Sequence, residues 1–168
     1  LIFSLTRYAE VIDAYQAGIE KCANPSNVHS VASFFVSRVD SAVDKLLTDN
    51  SLKGKAAIAN ARMAYELYLE KFKNYPNNHQ RPLWASTSTK NPAYPDTLYV
   101  DRLIGPHSVN TLPENTLEAF DDHGTPERSV DADVAAAARV WTSLSALGVD
   151  ADQVAGVLEE EGLASFEA

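Results

Sequence analysis

The sequence of 168 residues is poor in cysteine and in positive charge. Its one cysteine, Cys22, permits no disulfide within the chain and is typical of a reducing compartment. The 14 lysine and arginine residues face 23 aspartate and glutamate residues and are scattered along the chain. Because nucleic-acid binding relies on clustered basic side chains, this balance argues against DNA or RNA as a partner.

The sequence also lacks long apolar runs, metal-ligand spacings and nucleotide-binding loops. No stretch approaches the roughly 20 apolar residues of a membrane helix, and there is no signal-peptide pattern. We therefore expect a cytoplasmic protein with no membrane partner. The four histidines are far apart and are not paired with carboxylates or cysteines at ligand spacing, so we expect no metal site. Without a glycine-rich phosphate loop, we also expect no nucleotide cofactor.

What the chain does contain is a repeated alternation of short apolar segments and helical patterns. Strand followed by helix, four times, predicts an α/β protein with a parallel sheet and crossover helices. This pattern fits a small open sheet, and it fits half of an eight-stranded barrel equally well. The predicted strands are 1–4, 31–36, 83–86 and 108–112. The first predicted helix begins near residue 6 and ends at the Asn24-Pro25 pair, and the second begins near residue 41. The other predicted helices span 56–72, 97–104, 114–120, 131–146 and 151–160.

The ends of the sequence favour the half-barrel. The chain starts without methionine inside the apolar run 1–4, and it stops within a helical pattern. We interpret this as the sign of a fragment. The domain prediction is a half-barrel of four strand-helix units over 1–126, followed by a helical extension of the same domain over 127–168.

The first candidate site follows the predicted strand 31–36. Parallel α/β folds keep their chemistry at the carboxyl ends of the strands, which places Ser33, Phe35 and Arg38 at or near such an end. Neighbouring strand residues point in opposite directions, so one of Phe34 and Phe35 is expected to pack in the core and the other to line a pocket.

Arg38 has two interpretations that the sequence leaves open. Its planar guanidinium suits a phosphate bound through two parallel hydrogen bonds. The alternative is a salt bridge to Asp40 or Asp44, since an arginine near a buried strand end must be paired or solvated.

The second candidate site follows the predicted strand 83–86. A loop rich in hydroxyl groups runs from Ser86 to a lysine and an asparagine, Lys90 and Asn91. Loop lysines are commonly just solvated, so Lys90 alone favours a surface role. Two strand ends that each carry hydroxyl groups and a cation nevertheless predict an anionic ligand with several hydroxyl groups.

Four stretches carry a more specific likeness. Residues 1–4 (LIFS), 33–40 (SFFVSRVD), 54–61 (GKAAIANA) and 83–94 (LWASTSTKNPAY) together resemble the transaldolase family, in its longer actinobacterial branch. The resemblance implies the C-terminal half of a (β/α)8 TIM barrel, strands five to eight, with extra C-terminal helices. It also implies transfer of a dihydroxyacetone unit between sugar phosphates of the pentose phosphate pathway through a lysine Schiff base, without a cofactor.

The resemblance further implies roles for individual residues. Ser33 and Phe35 would line the substrate channel, and Arg38 would bind the substrate phosphate. Ser86 and Lys90 would also bind substrate; Lys90 takes the place of the family's second cation after an Ala-Ser pair, with a two-residue insertion. The implied substrates are sedoheptulose 7-phosphate, glyceraldehyde 3-phosphate, fructose 6-phosphate and erythrose 4-phosphate.

The Schiff-base lysine lies on the fourth strand in the family, so it would precede Leu1, as would the acid/base carboxylates. We therefore expect no catalytic residue within this chain and no activity from the chain alone. Two rivals stay open. One is a related Schiff-base aldolase that cleaves sugar phosphates, and the other is a non-catalytic half-barrel that only binds them.

Overall fold

The computed structural model describes residues 2–48 and 50–167 as an alternation of helices and strands around a parallel sheet. The predicted alternation of strands and helices is confirmed, except that the described part of the first predicted strand, 2–4, forms one isolated bridge in place of a strand. The strands are β1 (Ser30–Phe35), β2 (Gln80–Ala85) and β3 (Val109–Asn110); the helices are α1 (Leu5–Ile19), α2 (Ser37–Leu46), α3 (Ala56–Phe72), α4 (Leu98–Asp101), α5 (Glu114–His123), α6 (Val134–Ala146) and α7 (Ala151–Glu167).

The sheet is parallel throughout and has the strand order β1-β2-β3. β1 and β2 pair along their whole lengths, from Ser30 opposite Gln80 to Phe35 opposite Ala85. β3 pairs with β2 from Leu83 onward. The first predicted strand adds one parallel bridge on the other side of β1, between Ile2 and Phe34. Leu1, the first residue of that predicted strand, lies outside the described residues.

Several predicted boundaries were wrong. α2 begins at Ser37 rather than near residue 41, because the chain turns into the helix directly after β1 and no side-chain cap marks the start. α1 ends at Ile19, before the Asn24-Pro25 pair that was expected to stop it. α4 covers only Leu98–Asp101 of the predicted 97–104.

Aromatic side chains form the core between the sheet and the helices. Phe34 is fully buried and makes edge-to-face contacts with Trp84 of β2 and Tyr8 of α1, each with ring centroids 5.7 Å apart. Such contacts stabilise beyond the area that they bury. α3 contributes the largest helical share of this core, with alanines that allow close approach and a buried aromatic row: Ala57, Ala61, Ala64, Tyr65, Tyr68 and Phe72.

The two last helices have capped starts. Asp133 accepts a hydrogen bond from the Ala136 amide at 2.9 Å, and Asp150 accepts from the amides of Asp152 and Gln153. Helix α7 lies against α2, and Glu159 of α7 forms a salt bridge with Arg7 of α1 at 2.9 Å. Within residues 2–48 and 50–167, no helix is long and apolar enough to cross a membrane.

Candidate functional site

The carboxyl ends of β1 and β2 lie side by side and carry the predicted site residues. The pairing continues past the last strand residues, because the Val36 amide donates to the Ala85 carbonyl at 2.9 Å and the Ser37 amide to the Ser86 carbonyl at 3.1 Å. The two segments that follow these strands therefore start from one fixed point. This edge of a parallel sheet is where α/β proteins bind ligands.

A pair of serine hydroxyl groups joins the two strand ends. The Oγ atoms of Ser37 and Ser86 share a hydrogen bond of 2.9 Å, and Ser37 is fully buried. Ser86 has a φ of 56°, in the left-handed region that non-glycine residues rarely adopt. Such a backbone costs about 1–3 kcal/mol and tends to occur at functional sites. The strain at Ser86 supports a role for this strand end beyond folding.

Ser33 and Phe35 share one face of β1. Both are half-buried. Ala32, which precedes Ser33, and Phe34, which lies between Ser33 and Phe35, are buried against the helices. The expectation that one of the two phenylalanines packs in the core is therefore confirmed for Phe34. Phe35 lies on the opposite face, where its ring packs against Phe3 with centroids 4.9 Å apart.

The Arg38 guanidinium lies over these two rings. Its central carbon is 4.9 Å from the Phe35 centroid and 5.6 Å from the Phe3 centroid, distances at which a cation is attracted to an aromatic face. Among the residues that the structure describes, no carboxylate forms an ion pair with Arg38. The salt-bridge alternative for Arg38 was therefore wrong.

Asp40 and Asp44, the acids of that alternative, are bound elsewhere. Asp40 accepts hydrogen bonds from the Ala57 amide at 2.7 Å and from the Tyr99 hydroxyl at 2.8 Å. Asp44 accepts from the Gly54 amide at 3.0 Å and from the Tyr94 hydroxyl at 2.6 Å. Both carboxylates thus tie α2 to the start of α3 and to the segment that follows β2.

Burial governs the charge state of Asp40. Only 1 % of the residue is exposed, and this burial raises the pKa of the carboxyl to about 6, against the opposing effect of its two hydrogen-bond donors. The nearby Asp44 adds to the rise. A carboxyl with a raised pKa is often functional. Asp40 bonds to α3 and α4, which ties these helices to α2, and it also lines the cavity that contains Lys90.

Lys90 lies in the segment between β2 and α4. It is exposed, and its ammonium group donates to the Ser88 hydroxyl at 2.7 Å. Lys90 lines a cavity of about 310 Å³ with Asp44 and Tyr94. Arg38 lines a different cavity, of about 510 Å³, between α2 and α7. The structure brings Ser33, Phe35, Arg38 and Ser86 to one pair of strand ends, and it sets Lys90 apart from Arg38.

Sequence reasoning missed Phe3 as a part of this site. Phe3 is 2 % exposed and follows Ile2, whose bridge to Phe34 puts Phe3 level with Phe35 on the same face of the sheet. The sequence signal was present, because Phe3 and Phe35 hold equivalent positions near the ends of two predicted neighbouring strands. What was missing was the register that aligns them.

The titratable groups away from the strand ends do not assemble a metal site. His123 bonds to Asp96 at 2.9 Å and to Asp122 at 3.0 Å on the exposed surface, and these two carboxylates raise its pKa. Over the described parts of the chain, no group of three or more histidine, cysteine, aspartate or glutamate residues is placed to hold a metal ion. Cys22 is an exposed free thiol.

Comparison with known proteins identifies the family of this chain. A family model described as transaldolase/fructose-6-phosphate aldolase matches residues 1–168. The chain belongs to this family. It is 47 % identical to the transaldolase of Mycobacterium tuberculosis (100 % of this chain, 50 % of the relative). It is 50 % identical to transaldolase 1 of Streptomyces avermitilis (99 % and 49 %) and 51 % identical to the transaldolase of a Parafrankia species (99 % and 50 %).

The chain thus spans about half the length of the curated family members that it matches. The resemblance seen in the sequence is confirmed at the level of the family. The parallel α/β sheet of the structure is the kind of sheet from which a transaldolase-family barrel is built.

Proposed function

We propose that this chain is the C-terminal half of a transaldolase. In this proposal residues 1–126 form strands five to eight of a (β/α)8 barrel with their helices, and residues 127–168 form a helical extension of the same domain. Two facts support it: relatives named transaldolase match over the whole chain, and four consecutive segments pair in parallel in chain order. The complete protein would transfer a dihydroxyacetone unit between sugar phosphates of the cytoplasmic pentose phosphate pathway.

The observation that carries the proposed substrate class is the state of Arg38. Its guanidinium lies over Phe35, the last residue of β1, and over Phe3, and it has no carboxylate partner among the described residues. Guanidinium donors that no protein acceptor uses are available to a ligand, and their fork fits a phosphate. We therefore assign the substrate phosphate to Arg38.

The other strand-end residues fit the same assignment. Ser33 and Phe35 share the face of β1 over which Arg38 extends, so they would line the path of the sugar chain. The hydroxyl of Ser86 stands beside the start of α2. Lys90 would contribute more weakly, since its ammonium group is exposed and lines a separate cavity.

The chemistry needs this division of roles. A Schiff-base lysine must lose its proton before it attacks the substrate carbonyl, and nearby cations and apolar walls lower its pKa to allow that. The phosphate must meanwhile be held at the far end of the sugar, so that the carbonyl reaches the lysine. In our proposal the lysine and the acid/base carboxylates belong to the barrel strands that precede residue 1, and this chain holds the substrate.

Trapping the Schiff base tests the proposal. The complete protein is incubated with fructose 6-phosphate and reduced with borohydride, and the modified peptide is identified by mass spectrometry. We expect an adduct on a lysine upstream of Leu1. An adduct on Lys45, Lys55 or Lys90, or the absence of any adduct under conditions where the protein is folded, would overturn the proposal.

The description of the matching family favours a second candidate, because it names fructose-6-phosphate aldolase beside transaldolase. Such an enzyme forms the same adduct but releases free dihydroxyacetone. The requirement for an acceptor substrate distinguishes a transaldolase from an aldolase. A transaldolase requires an acceptor such as erythrose 4-phosphate for turnover of fructose 6-phosphate, whereas an aldolase turns it over without one. A protein that binds sugar phosphates and forms no adduct would instead be a non-catalytic binding module.

A further inference from the structure

The ring of Phe3 is enclosed between the arginine site and the last helix. One side contacts Phe35, with centroids 4.9 Å apart and ring planes inclined by 30°, and the Arg38 guanidinium lies 5.6 Å from the Phe3 centroid. Another side faces Gly162 of α7. A Cβ atom placed on Gly162 would lie 2.4 Å from Cζ of Phe3 and 2.7 Å from its Cε2. The ring therefore has no room to retreat toward α7.

Helix α7 is itself held in place over this ring. Glu159 lies almost one turn before Gly162. Its carboxylate accepts a hydrogen bond from Nε–H of Arg7 in α1 at 2.9 Å. Gly162 is buried, in keeping with a backbone pressed against the ring. A residue with any side chain at this position would have to move either the helix or the ring, because contacts below 3.0 Å are not tolerated.

We infer that Phe3, backed by Gly162 of α7, is a positioning residue that fixes the Arg38 guanidinium for phosphate binding. The inference rests on the proposed function, in which Arg38 binds the substrate phosphate. Arginine side chains have many rotamers, and a site that binds through a fork needs that fork oriented in advance. Two ring faces provide the orientation here without using any of the five N–H donors.

The same helix supplies a matched control. Gly156 lies on α7 like Gly162, and a Cβ atom placed there meets nothing within 4 Å. Alanine in place of glycine favours a helix equally at both positions. Only the substitution at Gly162 forces a methyl group into the Phe3 ring. A difference between the two variants therefore reports on the ring and not on helix stability.

The experiment compares Gly162→Ala, Gly156→Ala and Phe3→Leu in the complete protein. For Gly162→Ala and Phe3→Leu we expect KM for fructose 6-phosphate to rise about threefold to tenfold, the loss expected when one cation–π contact goes. Activity with an unphosphorylated donor such as fructose is expected to stay constant, and Gly156→Ala to match the wild type. Because Phe3 acts through Arg38, adding Phe3→Leu to Arg38→Ala is expected to cause no further loss.

A readout that does not depend on activity separates this inference from the proposed function. In protein labelled with ¹⁵N-arginine, the Nε–H signal of Arg38 is assigned by its loss in Arg38→Ala. We expect this signal to show a ring-current shift. Phe3→Leu and Gly162→Ala are expected to reduce the shift, and Gly156→Ala to preserve it. An unshifted signal, or equal behaviour of the two glycine variants, would overturn the inference even in an active transaldolase. If Phe3→Leu does not fold, the two glycine variants decide. A normal shift in a protein without transaldolase activity would refute the proposed function alone.

Discussion

The contacts of Arg38 distinguish between a structural role and a binding role for this side chain. An arginine paired with Asp40 or Asp44 would have satisfied its charge within the protein. The structure instead satisfies both acids with tyrosine hydroxyl and backbone amide donors, and it leaves the guanidinium on two rings. The charge of Arg38 is thus available for a ligand.

Replacing Arg38 by alanine in the complete protein is expected to weaken the binding of phosphorylated substrates. A hydrogen bond to a charged group contributes roughly 1.5–3 kcal/mol, which is about a tenfold to hundredfold loss in affinity. Lys90→Ala should act in the same direction but less, because an ammonium group lacks the fork. The measurement is kcat/KM for phosphorylated against unphosphorylated donors.

Arg139→Ala is the control for that experiment, since the Arg139 side chain is 69 % exposed and its nearest acid, Asp133, is 3.7 Å away. It is expected to leave the ratio of the two activities unchanged. An unchanged ratio in folded Arg38→Ala would refute the assignment of the phosphate to Arg38.

Asp40 leads to a prediction about pH. Its pKa in the folded protein is raised to about 6, against a reference of 3.8. Between these two values the folded state binds more protons than the unfolded state, so the contribution of Asp40 to stability falls as the pH rises. The loss begins near pH 4, continues as the pH rises through about 6, and totals on the order of 3 kcal/mol.

Asp40→Asn removes this titration and can keep one acceptor and one donor at the site. We expect the free energy of unfolding of the wild type, measured in urea, to decline relative to Asp40→Asn as the pH rises through this window. The exposed Asp121→Asn controls for the general loss of a negative charge. Parallel pH profiles for the wild type and Asp40→Asn would contradict the burial argument.

At the scale of elements, the sequence predicted the bounds that follow from local pattern, and it did not predict the bounds that follow from tertiary packing. The bounds of α3, Ala56–Phe72, were read correctly, because a long helix with a repeating apolar face needs no partner to be recognised. The start of α2 could not be read, because Val36 offers no capping side chain. That start follows from the strand pairing that fixes the end of β1.

β2 shows the same limit. It was predicted from residue 83, yet it begins at Gln80 and includes Pro82, a residue that argues against a strand in sequence reasoning. Pairing with β1 extends the strand over Pro82, which stands opposite Ala32. Because β3 joins only from Leu83 onward, Pro82 lies where β3 does not need its missing amide hydrogen.

The segment between β2 and α4 carries Lys90, and Tyr94 fixes it to α2. The Tyr94 hydroxyl donates to Asp44 at 2.6 Å, and its ring packs against Gly54, which has a φ of 70°. Tyr94→Phe is expected to lower the free energy of unfolding by about 1–2 kcal/mol, since a bond to a charged acceptor is lost. Amide hydrogens of residues 86–97 should exchange faster in this variant.

Tyr75→Phe is the matched comparison for Tyr94→Phe. The Tyr75 hydroxyl donates to the uncharged Gln16 carbonyl at 3.3 Å, far along the chain from Lys90. We expect a smaller loss, of about 0.5–1 kcal/mol, and no change of exchange in residues 86–97. Equal effects of the two substitutions on that segment would mean that Asp44 does not hold it.

At the scale of the whole molecule, the class of fold was predictable from the sequence, and so was the meeting of the two strand ends that carry the candidate site residues. Strand-helix alternation predicted the parallel sheet, and the strand ends predicted where the polar side chains gather. The arrangement of side chains around Arg38 could not be predicted from the sequence. It depends on α7, whose contact with Phe3 at Gly162 joins residues far apart in sequence, and no local pattern encodes such a contact.

The sheet as described has two outer strands, β3 on one side and the segment of Ile2 on the other. In a closed barrel each of these would pair with a further strand, and closure removes the edges. Chain 1–168 produced alone would keep the outer amide and carbonyl groups of both segments open to other copies, and exposed strand edges recruit partners.

We therefore expect chain 1–168, expressed by itself, to associate with increasing concentration in sedimentation velocity, whereas the complete protein keeps a fixed assembly state over the same range. Val109→Lys places a charge on the half-buried edge strand β3 and should shift the isolated chain toward the monomer, since a lysine on a strand edge opposes pairing. The same substitution at the exposed Val31 of β1 is the control, because it adds the same charge at a residue that pairs with Arg81 of β2 and lies away from β3. A monodisperse monomer of the unsubstituted chain, with a cooperative melt, would show that the sheet needs no further strands and would count against the half-barrel.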